Sequence, residues 1–487
     1  MYVCLPAIER ELGADFADAQ WVINAYMLVF SVLVVAGGRL ADSYGRRRVF
    51  FTGGTVFISA SLLGALSPNV FFLIIARALT AIGGALFWSS MLGMAYTSLP
   101  KEKVGIVGGV LIGAAGLGDV VGPVVAGTVT QLLAWTFVLT LNLPFIALAA
   151  IATWLMVKEE SQPEGKRIDM VGTACFGFGL FALLMSLNLA SDFGWATAGT
   201  LSGVALAIVS FSVFYWLKKR GKPNALIPLD VAKNRELSSA LVIAALGASA
   251  FFATLLMLQQ FLQKALSLGA QEAGIFMLPM MSALAIVSFA AGPIYDRIGA
   301  KLSVSIGAVF VVLGMLLLSL VGAKGDYNVL LVAMIVTGGG FGVFLSSIMT
   351  TGTTAVDPKE SSLASGLIYM SRNTGGAIGI GAAATIISLV SASKITTEAA
   401  SLGLSGLTHS QIVAIRALLV RFESARQIVN QFGPTVSAAL ISVAKDSLVG
   451  GIQVGYLFSA LVSAIAVLVA LTTLHAHKFK SNQRQNS

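Results

Sequence analysis

The stretch Gly38-Arg39-Leu40-Ala41-Asp42-Ser43-Tyr44-Gly45-Arg46-Arg47-Arg48 decides the fold. One apolar run ends at Leu40 and a second begins at Val49. A run of about 20 apolar residues is long enough to cross a bilayer as a helix. Consecutive arginines enter hydrocarbon only at a high cost in free energy, and they favour the cytoplasmic face. The stretch therefore predicts a cytoplasmic turn between two spans, with glycines that let the helix ends approach closely.

A shorter version of this stretch occurs later in the chain. It reads Gly292-Pro293-Ile294-Tyr295-Asp296-Arg297-Ile298-Gly299-Ala300-Lys301. Two copies of one turn motif, about 250 residues apart, indicate that the two halves of a membrane protein arose by duplication.

The composition excludes an ordinary soluble domain. Of the 487 residues, 56% are hydrophobic and 11% are charged, and the mean hydropathy is +0.87. Soluble domains carry about 25% charged residues. The net charge of +9 does not indicate a nucleic-acid partner, because the charges lie in short loops between apolar runs. Cys4 and Cys175 lie in apolar surroundings, so we expect buried thiols with no disulfide framework and no metal.

Thirteen apolar runs are long enough to span the bilayer. They are 21–41, 49–67, 69–97, 104–130, 136–157, 169–190, 197–217, 237–263, 270–292, 302–322, 328–351, 362–390 and 450–474. The apolar segment Met1–Pro6 is too short to span, and we interpret it as the end of a first span whose beginning is missing. The expected total is then fourteen spans.

The distribution of basic residues sets the orientation. With the arginine turn inside, the inner loops and the tail carry 21 Lys and Arg, whereas the short outer loops carry three. By the positive-inside rule this predicts a multi-pass protein of the inner (plasma) membrane with a cytoplasmic C-terminus. The long outer loop 391–449 contains Ser410–Phe422, which has apolar residues at helical spacing. It is either an interfacial amphipathic helix or a solvated connector helix.

The clearest charged residues inside the runs are Arg77, Asp119 and Arg372. A charge in a span is costly and therefore points to function. Asp119 could couple proton binding to the movement of a cationic substrate, or it could be the structural partner of an arginine on another helix. Arg77 has the same two interpretations, a proton relay or a structural role. Arg372 is typical of a residue that packs or lines a cavity.

The segment around Asp119 predicts close helix packing and a bend, because small residues recur every four positions and a proline frees a carbonyl. The residues of this predicted bend are Gly118, Gly122, Pro123 and Gly127.

Carboxylates at the membrane edges are candidates for a gate, since they can lock two half-bundles together and release them. The predicted gate residues are Gly38, Asp42, Gly45, Arg46, Asp296 and Arg297. The polar and apolar candidates for a central substrate cavity are Asn24, Tyr26, Trp88, Asn142, Met257, Gln259, Gln260, Phe261 and Arg372.

A P-loop, an HExxH motif and a Cys/His cluster are all missing from the sequence. This disfavours an ATP-driven pump and a metalloenzyme, and it predicts neither an enzyme activity nor a cofactor.

Together these motifs resemble those of the major facilitator superfamily, in particular its fourteen-span drug:proton antiporter family. Gly38–Arg48 resembles the loop signature between spans two and three. Arg77–Gly84 is similar to the arginine motif of span four, and Gly118–Gly127 to the antiporter motif of span five. Gln20–Leu28 resembles the opening of the second span. Further matches are Trp135, Phe137, Asn142 and Pro144 in span six, and Arg372, Gly375 and Gly376 in span thirteen.

The resemblance implies an all-α major facilitator fold of two six-helix bundles with two extra central spans, about 169–190 and 197–217. The corresponding division is 1–160 for the N-terminal bundle, 161–235 for the extra spans and the basic loop, 236–475 for the C-terminal bundle and 476–487 for the tail. The resemblance also implies alternating access driven by inward proton flow. In the family's terms Asp42 and Arg46 serve the gate and Arg77 serves proton movement, while Gly122 and Pro123 form the bend.

Two departures from the family's pattern stand out. The acidic residue that the family has in span one, just before a segment like Val3–Pro6, is absent here, which fits a missing N-terminal piece. Asp119 stands where the family has a small or apolar residue.

The leading hypothesis is a monomeric, proton-coupled exporter of amphipathic, often cationic, small molecules. The alternatives are an exporter of one metabolite, such as a siderophore or an antibiotic, and a truncated membrane protein that does not transport.

Overall fold

The computed structural model describes residues 1, 4–14, 16–157, 169–193, 197–219, 226–227, 231, 233–322, 327–401 and 434–475. The regular secondary structure in these ranges is helical, as the sequence predicts. The helices are α1 Leu5–Leu12, α2 Phe16–Tyr44, α3 Arg46–Ala65, α4 Val70–Thr97, α5 Val104–Leu132, α6 Trp135–Thr140, α7 Leu143–Met156, α8 Met170–Phe193, α9 Ala198–Lys219, α10 Arg235–Gln260, α11 Ala270–Ser319, α12 Tyr327–Thr354, α13 Ser361–Ser401 and α14 Pro434–Thr473. A π-helical turn, Phe261–Ala265, extends α10, and short 3-10 turns precede α5 and α13.

By length and composition, ten of the described helices can cross a membrane. One of these, Glu272–Ser319, is long enough for two passes and is interrupted at Gly299. Two shorter apolar helices, Val104–Gly118 and Val171–Leu187, lie in further predicted runs. The total of fourteen spans stays a prediction.

The two basic turns are tighter than the sequence analysis predicts. α2 stays helical through Tyr44, and the backbone leaves the helix only at Gly45, where φ is 100°. In the second copy α11 runs on to Gly299, where φ is 81°. Each turn is thus a one-residue break at a glycine, because a positive φ is easy only without a Cβ.

Two predicted elements have other limits. The run 136–157 is divided into α6 and α7, since α6 ends at Thr140, and Asn142 and Pro144 stand at the start of the next helix. The last predicted run, 450–474, coincides with the C-terminal part of the longer helix α14, which begins at Pro434. The predicted amphipathic helix 410–422 lies outside the described residues.

Two seams join the halves. In the first seam α2 packs along α13, and in the second α5 packs along α11 and α12. The paired helices α8 and α9 reach the first seam through contacts of α8 with α2 and α13. Both basic turns, at Gly45 and Gly299, lie next to a seam, so the seams position the candidate site.

Candidate functional site

Asp42 and Arg46 form a buried ion pair at the first basic turn. The Arg46 guanidinium donates from Nη2 and Nε to Asp42 Oδ1, at 3.0 and 3.1 Å. Only 2% of the Asp42 side chain and 4% of the Arg46 side chain are exposed. A buried pair of this kind needs further hydrogen bonds to offset desolvation, and most of these bonds come from the other half of the molecule.

Asp42 caps the N-terminus of α13. The backbone N–H of Leu363 donates to Asp42 Oδ2 at 2.8 Å, and that of Ser362 donates to Oδ1 at 3.3 Å. The first N–H groups of a helix have no partner within it, and the positive end of the helix dipole favours an anion. The carboxylate on α2 therefore holds the first turn of α13 across the seam.

We call the Asp42–Arg46 pair, with its hydrogen bonds to the start of α13, the first lock, and the corresponding bond of Asp296 to α5 the second lock. Arg46 connects the first lock to two further elements. Its Nε also donates to Ser362 Oγ at 3.1 Å, and its Nη1 donates to Thr97 Oγ1 of α4 at 3.1 Å. Its Nη2 donates to the backbone carbonyl of Pro358. One guanidinium thus bonds to α2, to α4 and to the segment that leads into α13.

Asp296 repeats the cap at the second seam. Its Oδ1 accepts from the backbone N–H of Gly105, in the first turn of α5, at 2.7 Å. The order glycine, aspartate, helix break is the same in both copies, and the two copies read Gly38, Asp42, Gly45 and Gly292, Asp296, Gly299.

Gly38 and Gly292 allow the seams to close. A Cβ on Gly38 would collide with the carbonyl oxygen of Ser362, and a Cβ on Gly292 would lie 2.7 Å from that of Gly105. The sequence predicts that Gly38 brings α2 and α3 together. The structure corrects this, because the glycine faces α13 of the other half.

Among the described residues, the second lock has no counterpart of Arg46. Ala300 occupies the position after Gly299, and the predicted gate residue Arg297 is exposed. A step of one residue turns the side chain by about 100° around a helix, away from the face of Asp296. The structure therefore does not bring Arg297 to the gate.

A chain of aromatic rings connects the halves away from the locks. Tyr26 and Phe30 of α2 are 5.8 Å apart, and Phe30 lies 5.2 Å from Tyr369 of α13. Trp88 of α4 meets Tyr369 edge-on at 5.6 Å. Beside the rings, Asn373 Nδ2 donates to Ser31 Oγ at 2.6 Å across the first seam.

An arginine stands at each end of this chain. Arg77 lies over the Tyr26 ring with Cζ 4.3 Å from the centroid, and its Nε donates to the Val22 carbonyl at 3.3 Å. Arg372 lies 5.8 Å from the Tyr369 centroid. A guanidinium over an aromatic face gains electrostatic stabilisation, which partly offsets its desolvation.

Other predicted cavity residues lie elsewhere. Met257 is fully buried in α10, and its sulfur lies against Gly455 of α14, so it is packed between these two helices. Asn142 is exposed at the break between α6 and α7. Gln260 is half-buried at the end of α10, and Asn24 is half-buried on α2.

The predicted bend is only partly described. Gly118 and Gly122 are exposed, and no described atom lies within 4 Å of a Cβ placed on either. The close packing expected at these glycines is therefore not seen in the described part of the chain. Gly127 is half-buried on α5, and the side chains of Asp119 and Pro123 lie outside the described residues.

Sequence reasoning missed several members of the site. Ser362, Thr97 and Gly105 belong to the locks, but as isolated small residues they carry no signal in one sequence. Tyr369 is different, because it stands three residues before Arg372 and so lies on the same helix face.

Comparisons with known proteins identify one family of membrane transporters. The sequence profile described as Major Facilitator Superfamily matches residues 1–170 and 170–380. The chain is 30% identical to the "Multidrug resistance protein Stp" of Mycobacterium tuberculosis over 390 residues, which cover 79% of this chain and 72% of that protein. It is 26% identical to the "Tetracenomycin C resistance and export protein" of Streptomyces glaucescens, over 97% of this chain and 87% of that one.

A solved structure shows the same fold. The human organic anion transporter MFSD10 aligns with a TM-score of 0.54 and 13% identity, over 94% of this chain and 88% of that one. At this identity the likeness shows the fold alone.

Proposed function

The chain belongs to the Major Facilitator Superfamily, and from that premise we propose that it exports amphipathic small molecules by proton-coupled alternating access. The family and its relatives make it a multi-pass membrane transporter and not an enzyme. To this we add the coupling to protons, the direction of transport, which is export, and the residues of the gate. We also propose that it acts as a monomer in the inner (plasma) membrane, with its basic turns and its C-terminus in the cytoplasm.

The paired lock is the observation that carries the proposal. At both basic turns a carboxylate of one half caps a helix of the other half. These caps join elements about 190 and 320 residues apart in sequence, so they can break without unfolding either half. In alternating access both caps must release for the cavity to open toward the basic face.

The chain of aromatic rings between the halves, with the arginine at each end, is the proposed wall of the substrate cavity. Tyr26, Trp88, Tyr369 and the two arginines are half-buried on the helices α2, α4 and α13. Partial exposure at these positions supports a space between the halves that a small aromatic molecule can enter.

In this proposal, the coupling of transport to proton movement depends on Asp119 and Arg77. A carboxylate within a span can take up a proton from one side and give it up to the other. We propose that Asp119 is this group and that Arg77 assists proton movement through its contact with Tyr26. The fourteen-span arrangement, with division at residues 160 and 235, is part of the same proposal.

A narrower alternative is an exporter of one metabolite. The relative that matches 97% of this chain is named for resistance to a single compound and its export, tetracenomycin C. A deletion strain distinguishes the two, because a multidrug exporter changes resistance to several unrelated compounds, whereas a dedicated one changes the accumulation of a single product.

Transport into proteoliposomes tests the proposal. The purified chain is reconstituted, an inward or outward pH gradient is imposed, and the movement of one cationic, one neutral and one anionic amphipathic dye is followed. We expect at least one dye to move against its own gradient only while the pH gradient is present. Movement of every dye no faster than in empty liposomes, or movement unaffected by the gradient, contradicts the proposal.

A further inference from the structure

A hydrogen bond between two buried hydroxyls joins the halves near the basic face, apart from both carboxylates. The Tyr96 hydroxyl of α4 lies 3.3 Å from Thr350 Oγ1 of α12, and the two residues are 254 positions apart in sequence. Tyr96 is 5% exposed and Thr350 is 0% exposed. Thr350 has one hydroxyl hydrogen, which it donates to the Ser346 carbonyl at 3.1 Å. The Tyr96 O–H is therefore the donor between the halves.

Gly108 of α5 leaves the space in which the two hydroxyls meet. A Cβ on Gly108 would collide with Thr350 Oγ1, and it would lie 2.8 Å from the Ser346 carbonyl oxygen and 3.1 Å from the Tyr96 hydroxyl. Only a residue without a Cβ fits at such distances. The three helices α4, α5 and α12 therefore meet at one point, and the hydroxyl bond is at their centre.

This meeting point lies between the two locks. Tyr96 is followed directly by Thr97, a member of the first lock. Gly108 comes about one helical turn after Gly105, a member of the second lock. The hydroxyl bond thus connects the elements that carry the two locks, and unlike the locks it contains no charged group.

We propose that Tyr96 and Thr350 form a third, uncharged closing contact of the gate, which holds the halves together independently of Asp42 and Asp296. The bond joins residues of different halves, so it breaks when the halves separate at this face. A carboxylate accepts hydrogen bonds less strongly once it is protonated, whereas two neutral hydroxyls keep their bond. The contact therefore still favours closure when a carboxylate is neutralised. This inference rests on the proposed function, because it assigns two further residues to its gate.

A thiol reporter tests the contact in the full-length protein in nanodiscs, without any substrate. Val35→Cys places the thiol at the fully buried first seam, in the background Cys4→Ser/Cys175→Ser. Tyr96→Phe removes the hydroxyl and keeps the ring. We expect the reporter to react with N-ethylmaleimide about fivefold faster, the factor for loss of one neutral hydrogen bond. An unchanged rate overturns the inference.

The partner residue must give the same result from the other side. Thr350→Val keeps the shape but leaves the Tyr96 O–H buried without its acceptor, so it should raise the rate at least as much. Tyr96→Phe/Thr350→Val should be no faster than Thr350→Val alone, because both changes remove the same bond. Thr350→Ser keeps the hydroxyl and should stay within twofold of the wild type. Effects that multiply in the double variant would show two separate roles and overturn the inference.

A second tyrosine provides the matched control. The Tyr295 hydroxyl of α11 lies 3.2 Å from Thr351 Oγ1 of α12, and both residues are buried, but both helices belong to the C-terminal half. Tyr295→Phe should lower the midpoint of thermal unfolding about as much as Tyr96→Phe and leave the reporter rate within twofold. If Tyr295→Phe raises the rate as much as Tyr96→Phe does, a general loss of stability explains the effect and the closing contact is excluded.

Two outcomes separate this inference from the proposed function. Gradient-driven transport of the dyes, together with an unchanged reporter rate in Tyr96→Phe, overturns the inference alone. A faster reporter in Tyr96→Phe and not in Tyr295→Phe, without gradient-driven transport, contradicts the proposed function alone.

Discussion

Leu363 and Asp42, 321 positions apart in sequence, are joined by a hydrogen bond of 2.8 Å from the backbone N–H of Leu363 to the carboxylate of Asp42. The bond crosses between the two halves and ends on a side chain that is almost fully buried. A hydrogen bond to a charged group contributes about 1.5–3 kcal/mol, and an abandoned buried partner costs at least as much. The closed first seam therefore depends on the negative charge at position 42.

Asp42→Asn should open the first seam, because the amide nitrogen that replaces one oxygen cannot accept, so that either Leu363 or Arg46 loses its acceptor. We expect a cysteine at Val35, a fully buried seam residue, to react with N-ethylmaleimide about tenfold faster, which corresponds to about 1.4 kcal/mol. The background is Cys4→Ser/Cys175→Ser, which removes both native thiols. Asp357→Asn is the control, since Asp357 is exposed and caps only its own turn at Lys359. An unchanged rate in Asp42→Asn excludes the lock.

Gly38→Ala should prevent closure of the same seam, because the added Cβ collides with the carbonyl oxygen of Ser362. We expect a folded, monodisperse protein that loses most of its transport and exposes the Val35→Cys reporter. Gly274→Ala is the control, because no described atom lies within 4 Å of a Cβ placed there. Normal transport by Gly38→Ala would show that the two backbones can separate without consequence.

Arg46→Lys should weaken the lock without abolishing it. An ammonium keeps the charge, but it cannot reach Asp42, Ser362, Thr97 and the Pro358 carbonyl together as the guanidinium does. We expect reporter reactivity between those of wild type and Arg46→Gln. Arg48→Lys, at an exposed position of the same turn, should behave as wild type. If Arg46→Lys also equals wild type, charge alone accounts for the role of Arg46.

Tyr26 should stabilise the half-buried Arg77 through its ring and not through its hydroxyl. Tyr26→Phe keeps the aromatic face, so we expect little change in the midpoint of thermal unfolding. Tyr26→Leu removes the face and should cost about 1–2 kcal/mol, seen as a lower midpoint in Tyr26→Leu than in Tyr26→Phe. Equal midpoints would mean that the 4.3 Å contact contributes nothing.

Asp119→Asn should abolish proton movement that depends on an added substrate. Asparagine has nearly the same shape but cannot carry a proton, so binding and folding should remain. The measurement is quenching of a pH-sensitive dye inside proteoliposomes when substrate is added, with Asp357→Asn as the control. Undiminished proton movement removes Asp119 from the mechanism.

The sequence alone was sufficient to predict the helices and one side of the first lock, Asp42 and Arg46. Hydrophobic runs predicted most helix starts to within a few residues, because the bilayer imposes the length of a span, but α13 and α14 extend well beyond their runs. The repeated glycine, aspartate and basic residues are sufficient to predict both turns. Arg297 was misassigned, however, since a composition pattern does not say which face of a helix a side chain occupies.

The partners of the lock could not be predicted from one sequence. Asp42 meets Ser362 and Leu363 only because two distant helices pack side by side, and backbone N–H groups carry no residue signature. The same holds for Met257, whose type suits a cavity wall but whose position lies inside the C-terminal half. Tertiary packing decides both cases.

The most direct test of the account measures the distance across the first lock during transport. Spin labels are attached at Tyr44→Cys, at the exposed end of α2, and at Lys359→Cys, in the exposed turn before α13, in the cysteine-free background. The distance distribution is recorded by pulsed electron paramagnetic resonance in proteoliposomes. The account predicts a short population at rest, a second and longer population when substrate and a pH gradient are supplied, and mainly the longer one in Asp42→Asn. A single distance that is unchanged by substrate, by the gradient and by Asp42→Asn would contradict it.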